Sequence, residues 1–548
     1  MRDTATSRNS GKTKLMGNGR GITAGIEFFS GPWTDHHRLH LLRRTMLGID
    51  RNSLEVMEEL DLSRCIDQIL QQDPVPPVPV NDYNDGEVYD ANVPLGEPWI
   101  YDTGRENADI VSARVVSLKS WWIRSMLDHP STIHEKMVFF WHNHFATQSW
   151  EVFWPHLTYY HFLTLREHAL GNFKAMVKAI TLDPHMLLYL NGALNRKDAP
   201  DENYGRELQE LFCIGKGPQA NYTEGDVQAA ARVLTGHSID WEKGGQYLYR
   251  WYWHDEADKQ FSSFYDNQVI RGRSADDGAG ELDDLLDMIF ANNEVAAFMV
   301  RKLYRFFVYS DIDEDTELNV IQPLAEIFRD SGYEIKPVLE TLLKSAHFYA
   351  EENVGAMIKT PLDFLIGFWR TGGVTMPAQA NEIQKKKIRT SMLWTMNNIG
   401  LEVMDPPNVA GYPAYYQFPQ YDRNWITTNT VTQRALITDS FIYWGFWSAD
   451  LLTNIDLLQH VASLSQPEDP DKLIEEIAEL HAAFPLSDTV KLRMKATLLT
   501  GQQNPYYWTS AWLDYVDNPQ DEMKRMIVEI RLKVMFQFLM QLSEYHLM

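Results

Sequence analysis

The sequence predicts a mostly α-helical protein, a large multi-helix domain with small β-hairpins confined to aromatic-rich loops. Three observations predict it. Apolar residues recur at the 3.6-residue spacing of amphipathic helices along most of the chain, above all beyond residue 430. Helix-start and helix-stop residues bracket such stretches, as where Thr223 precedes Asp226 by three residues and Gly236 follows. Strand-like alternation of aromatic and polar residues is confined to residues 241–272. Neither a repeat of fixed period nor a sustained heptad occurs, which excludes a solenoid or a long coiled coil.

Composition bounds the function classes. Hydrophobic residues make up 44% of the 548, with 17 Trp, 25 Tyr and 25 Phe, enough for a large core and too many for a disordered chain. The formal net charge of −25 argues against a nucleic-acid partner, because phosphate binding needs clustered Lys and Arg. Cys65 and Cys213 stand far apart, so neither a disulfide framework nor a cysteine-rich metal site is expected. Residues 1–33 read as a disordered polar leader without the apolar core of a secretory signal. No window approaches about eighteen consecutive apolar residues, so no transmembrane segment is expected. The chain as written is therefore expected to be cytoplasmic, with export in complex with a partner left open.

Residues 34–72 read as helices, with Leu54, Met57, Leu60 and Ile66 at roughly helical spacing. His40, Arg43 and Arg44 fall within about one turn there; the arginines either neutralise nearby acids or hold an anion. Residues 72–98 are rich in proline and Asn-Asp-Gly turn chemistry and form an irregular insertion, a lid or a strap. A helix over about 106–127 follows. Next comes STIHEKMVFFWHNHFATQ, capped by Ser131 or Thr132. Glu135 and His142 lie two turns apart on one face, whereas His144 shares the opposite face with Met137, Phe140 and Trp141. His142 with Glu135 is thus the better functional pair, and His144 is expected to be a satisfied core histidine.

Two helices broken at Gly171-Asn172 and Asp183-Pro184 lead to residues 195–236, the best-specified stretch of the chain. Asp201 or Asn203 caps a helix that Gly215 ends, and Thr223 opens another that Gly236 closes. Asn203, Glu207 and Glu210 fall at i, i+4 and i+7, on one face, and Arg206 is placed to pair with Glu210 one turn on. Such a polar row is either a functional face or a buried ledge of ion pairs. Residues 241–272 are an irregular aromatic insertion, a hairpin or an ordered loop, where His254, Asp255 and Lys259 form a second polar constellation. Helices resume over 281–309, 335–349 and 360–371. Residues 404–430 are an irregular Pro- and aromatic-rich loop, and the remainder is expected to be helical.

Several segments carry a family resemblance: HLLRRTMLG (40–48), EKMVFFWHNHFAT (135–147), ALGNFKAMV (169–177), NRKDAPDENYGRELQELFCIGKG and YTEGDVQAAARVLTG. RKLYRFFV (301–308), KTPLDFLIG (359–367), DPPNVAGYP (405–413) and NWIT (424–427) follow in the same order. In these the chain resembles the large bacterial proteins called the domain of unknown function 1800 family. The resemblance implies a single family-length helical domain over 34–548. Tyr412 stands where the family pattern has Trp, and the 72–98 region is longer than the pattern suggests. The family has no established activity. Its genes often neighbour a second family, similar to sulfatases and alkaline phosphatases and carrying twin-arginine export signals, which implies such a partner and an envelope-related process.

Three functional expectations follow. In the first, the protein is a non-catalytic accessory or scaffold for the sulfatase/phosphatase-like partner. In the second it is a metal-dependent hydrolase, with a divalent metal ion between helices on Glu135, His142 and Glu210 and catalysis by His142, Glu207, Glu210 and Arg206. In the third it is a metal-free acid–base enzyme acting on an anion. Arg43, Arg44, Asn203, His254, Asp255 and Lys259 would bind substrate, with Arg206 helping to hold the anion and His142 or Glu210 moving a proton. No GxSxG elbow, P-loop, GxGxxG or HExxH occurs. Convergence of His142, Glu207, Glu210 and His254 on a solvent-reachable pocket would favour an enzyme; individual pairing inside a closed core would favour the accessory reading.

Overall fold

Local chemistry places the helix ends. Asp50, Asp61, Asn107, Asn172, Asp183 and Asp201 each precede a helix and accept bonds from its otherwise orphaned N–H groups. Thr223 with Asp226, and Thr360 with Asp363, form full capping boxes. Pro155, Pro184, Pro361 and Pro470 sit in first turns, where the missing N–H is an orphan anyway. The computed structural model describes residues 20–548, and more than half of these are helical. The protein is mostly α, with small hairpins. No helix among the described residues is long and apolar enough to cross a membrane.

Three two-stranded antiparallel hairpins complete the secondary structure described. His237–Asp240 pairs with Gln246–Tyr249, and Lys259–Gln260 with Val269–Ile270, around and within the aromatic stretch. The third, Phe446–Ser448 with Leu451–Thr453, interrupts a region expected to be helical. Its register pairs Ser448 with Leu451, leaving Ala449 and Asp450 as a two-residue turn with φ of 55° and 60°. Positive φ at both central residues is the type I′ geometry whose twist matches a hairpin; the preceding helical segment already ends at Gly445, with φ of 74°.

Buried apolar side chains from Leu39 to Tyr545 form one contiguous cluster, beside a small satellite of Leu187, Ala193 and Ile239. The helix His134–His144 is buried on every side. It packs on Pro155–Glu167, which in turn packs on Ala108–Asp128 and Pro184–Tyr189. A helix without an exposed face must bury its polar groups as well. This one carries His134, Glu135, Lys136, His142, Asn143 and His144, and their partners determine what surrounds it.

Of the leader expected at 1–33, residues 1–19 lie outside the described residues. Residues 20–33 run along the body: the Phe29 N–H donates to Lys344 O (2.9 Å), the Ala346 N–H to Glu27 O (2.7 Å), and Arg20 reaches Asn353 Oδ1 (2.6 Å). Residues 72–98 contain neither helix nor extended strand and are tied down as a strap. Its Asp90 is buried against Arg114 (2.6 Å), and its Pro77 carbonyl accepts from Trp121 Nε1 (2.7 Å).

Candidate functional site

The buried helix His134–His144 sorts the predicted residues. The carboxylate of Glu135 accepts from Arg166 Nη1 (2.6 Å) on one oxygen and from Trp122 Nε1 (3.1 Å) on the other. Both oxygens are therefore used, and the expected pairing of Glu135 with His142 does not form. His142 instead packs against Trp122, edge-on with ring centres 5.6 Å apart, and against Phe162 at 4.9 Å. It is fully enclosed, neither ring nitrogen has a hydrogen-bond partner among the described residues, and burial pulls its pKa down to about 3.

Two histidines that sequence reasoning did not single out stand beside it. His161 Nδ1 lies 3.2 Å from Asp183 Oδ1, and its ring centre is 4.9 Å from that of His185. His185 is bonded on both nitrogens, to Thr158 (3.2 Å) and Thr147 (3.0 Å). The available signal was Asp183 as a helix cap with His185 two residues on, but nothing local ties it to His142. Among the described residues, no group of three His, Cys, Asp or Glu side chains is placed to hold a metal ion.

His144 points the other way, as expected, toward the stretch ending in Gly215. That stretch is not one α-helix. Glu202–Glu207 is α-helical, but Leu208–Cys213 is a π-helical turn, closed by the Ile214 N–H donating to Gln209 O (2.8 Å). The wider turn breaks the i, i+4, i+7 row expected for Asn203, Glu207 and Glu210. Arg206 correspondingly bonds Glu202 (3.1 Å) and Glu224 (2.7 Å) rather than Glu210, which is largely covered and pairs with the exposed Lys216. Asn203 donates to Leu190 O (3.4 Å). Glu207 is half-buried with one oxygen unbonded, and burial, reinforced by Glu210, raises its pKa. The expected metal ligands Glu135, His142 and Glu210 thus have separate surroundings.

The carbonyls at the end of this π-turn lack intrahelical partners and are taken up from across the core. Phe212 O lies 3.1 Å from His144 Nε2, and Leu211 O accepts from Lys302 Nζ (3.1 Å). Lys302 Nζ is also 3.0 Å from His144 Nδ1. With Nε2 donating to a carbonyl, Nδ1 is the acceptor, so the bond fixes the tautomer. Burial, with Arg305 nearby, pulls the Lys302 pKa down to about 7. His144 is a fully satisfied core histidine.

The second constellation closes around Glu281, another residue not anticipated. Its oxygens meet His254 Nε2 (3.0 Å) and Lys259 Nζ (2.5 Å), and all three side chains are fully buried. Burial opposes ionisation of Glu281, but bonds from His254, Lys259 and the Arg273 N–H hold its carboxyl below the usual range. Asp255 turns away to Arg232 (2.6 Å). On the helix Asp35–Thr45, Arg43 and Arg44 diverge: Arg44 is buried and donates to Asn353 O (2.6 Å), while Arg43 reaches the carbonyls of Glu479 and Leu480.

The polar residues of the two constellations therefore form separate, mostly internally bonded groups. A protein-family model described as a protein of unknown function (DUF1800) matches residues 40–547, nearly the whole chain. No curated protein and no solved structure matches it.

Proposed function

Since the chain belongs to the DUF1800 family of proteins of unknown function, we propose its role from geometry: a non-catalytic accessory or scaffold protein that docks a partner through the outer face of the helix Glu522–Met540. The carrying observation is that this helix is apolar on both sides. Val528, Leu532, Met535, Phe536 and Leu539 are buried against the body. Met523, Met526, Ile527, Ile530 and Val534 are exposed, between 40% and 68%. At about 100° per residue these five fall on a single stripe opposite the buried face. Leu513 and Val516 of the neighbouring helix Tyr506–Asp517 are exposed too.

In a chain of formal net charge −25, an exposed apolar stripe of this kind marks a surface that something covers. The bonding of Glu135, His144, His254 and Arg206 into separate groups supports the same reading, since an active site would bring such groups to one reachable point. The family resemblance suggests the occupant, a sulfatase/phosphatase-like protein of the kind whose genes often neighbour those of the family. Co-expression with that protein followed by size-exclusion chromatography tests the proposal. Ile530→Asp should abolish co-elution while leaving the melting temperature of the isolated chain unchanged. Undiminished co-elution of Ile530→Asp and Met526→Asp, or no complex with the wild-type chain, refutes it.

A further inference from the structure

A cleft of about 440 Å³ opens beside the helices Asp35–Thr45 and Pro470–His481. Ile49, Thr371 and Leu480 line both this cleft and a smaller pocket of about 40 Å³, so the two adjoin. The pocket is lined by Arg43, Lys359, Asp363, His481 and Tyr545, among others. Its charges do not balance. Asp363, its carboxylate, is already taken by Lys136 (2.5 Å) and by the Thr360 hydroxyl (2.8 Å). Among the described residues Lys359 donates only to the Tyr545 carbonyl (2.6 Å), its amine lying over the Tyr545 ring, and Arg43 only to the carbonyls of Glu479 and Leu480. Behind Lys359, the fully buried Arg434 bonds Lys359 O (2.8 Å) and leaves Nε and Nη1 without partners. Among the described residues none of these three cations has a carboxylate in an ion pair.

Enclosed charges are ordinarily paired, because desolvation costs more than carbonyl dipoles return. Two half-buried cations at a cavity, with the fully buried Arg434 behind them and no carboxylate paired to any of the three, point to a missing anion. A pocket of about 40 Å³ has room for more than one water, and so for a small oxyanion group. We propose that it binds an oxyanion, a phosphate or carboxylate, on Arg43 and Lys359, and that the adjoining cleft is its entry. Arg43 offers a planar fork suited to two oxygens, and Lys359 a point charge. The oxyanion is either a free inorganic ion or the head of a small molecule whose body lies along Leu39, Leu54 and Leu464 in the cleft.

The protonation state of Lys359 provides an independent readout. Burial, together with Arg43 and Arg434, pulls its pKa down to about 7 against the opposing effect of Asp363. The other titratable groups facing it are His481, His546 and the Tyr545 phenol. An arriving anion favours the charged amine, so binding above neutral pH must take up a proton. Isothermal titration calorimetry of the full chain with inorganic phosphate and with hexyl phosphate, at low ionic strength and in buffers of different ionisation enthalpy, tests this. Saturable binding with proton uptake is expected. Lys359→Met and Arg43→Met should each weaken it about tenfold or more, and Lys359→Arg should restore most of it while removing the proton uptake. Tighter binding of hexyl phosphate supports a headgroup ligand, and equal binding a free anion. Removing a half-buried charge that has no ion-pair partner is not expected to unfold the chain, and circular dichroism of each variant checks that. No saturable binding of either compound, or binding that both Met variants leave intact, overturns the proposal.

Discussion

Glu135 and Arg166 provide the sharpest test of whether the central helix is structural. Their side chains are 2% and 4% exposed, with Nη1 and Oε1 2.6 Å apart. Arg166→Met would leave the carboxylate enclosed with Trp122 Nε1–H as its remaining side-chain donor. Breaking a buried pair from one side costs about 3–5 kcal/mol, a large fraction of the roughly 5–15 kcal/mol that holds a domain together. Glu135→Gln/Arg166→Met removes the charge but keeps an acceptor for Trp122, so the double variant should recover most of that loss. The expected coupling is on the order of 2–3 kcal/mol. Urea denaturation followed by tryptophan fluorescence measures all the variants. If Arg166→Met costs less than about 1 kcal/mol, or if the two single costs simply add, Glu135 is solvated in a way the packing denies. A functional face would then return as the better account of this helix.

Three further outcomes follow from buried groups. His142 and His134 have pKa values pulled down to about 3 and about 4, chiefly by burial. The unfolded chain binds their protons near pH 6.5 while the folded chain does not. Their contribution is therefore present above about pH 6.5 and is lost toward the folded values, by about 1.4 kcal/mol per pH unit per proton. His142→Phe should flatten the fall of the urea midpoint between neutral pH and pH 5 by one such share; an unchanged slope refutes it. Lys302, pulled down to about 7, should make wild-type stability rise with pH from neutrality toward the unfolded lysine value, and Lys302→Met should remove that rise in the same assay. Gly411 has φ of +91°, and a Cβ there would meet Asn143 Oδ1 at 2.4 Å and Asn143 O at 2.5 Å. Gly411→Ala should thus cost at least about 2 kcal/mol, visible as a lowered melting temperature, since neither the conformation nor the space suits alanine.

What was legible in the sequence is what local chemistry decides. Asp201 and Thr223 with Asp226 open their helices through side-chain caps, and Gly215 and Gly236 follow theirs with positive φ. The divergence of His142 from His144 followed from helical geometry alone. The π-turn at Leu208–Cys213 was not legible, because LQELFC fits an α-helix equally well and packing decides between them. With it went the assumed face of Glu207 and Glu210. The partners were equally hidden. Arg166 lies 31 residues from Glu135, Lys302 158 from His144, and Asp363 227 from Lys136. No spacing rule connects residues so far apart, so a charged side chain in the sequence announces a need for a partner without naming it.

The same long-range pairing separates the two sides of the central helix. Glu135 and His144 turn toward groups that answer their charge or hydrogen-bonding needs, and those sites are closed. Lys136 leaves the helix in another direction and takes Asp363 from the neighbourhood of Lys359 and Arg434. Had Asp363 been paired with Lys359 instead of Lys136, the pocket would hold one unanswered cation fewer. The capping box fixes one oxygen of Asp363 on Thr360, and Lys136 takes the other. Residual positive charge therefore collects where a cleft meets the pocket, not at the motif histidines that first draw the eye. A ligand for this protein should be sought there, and a partner on the outer face of Glu522–Met540. Because the two lie on different elements, Ile530→Asp and Lys359→Met should act independently: loss of partner capture without loss of anion binding, and the reverse.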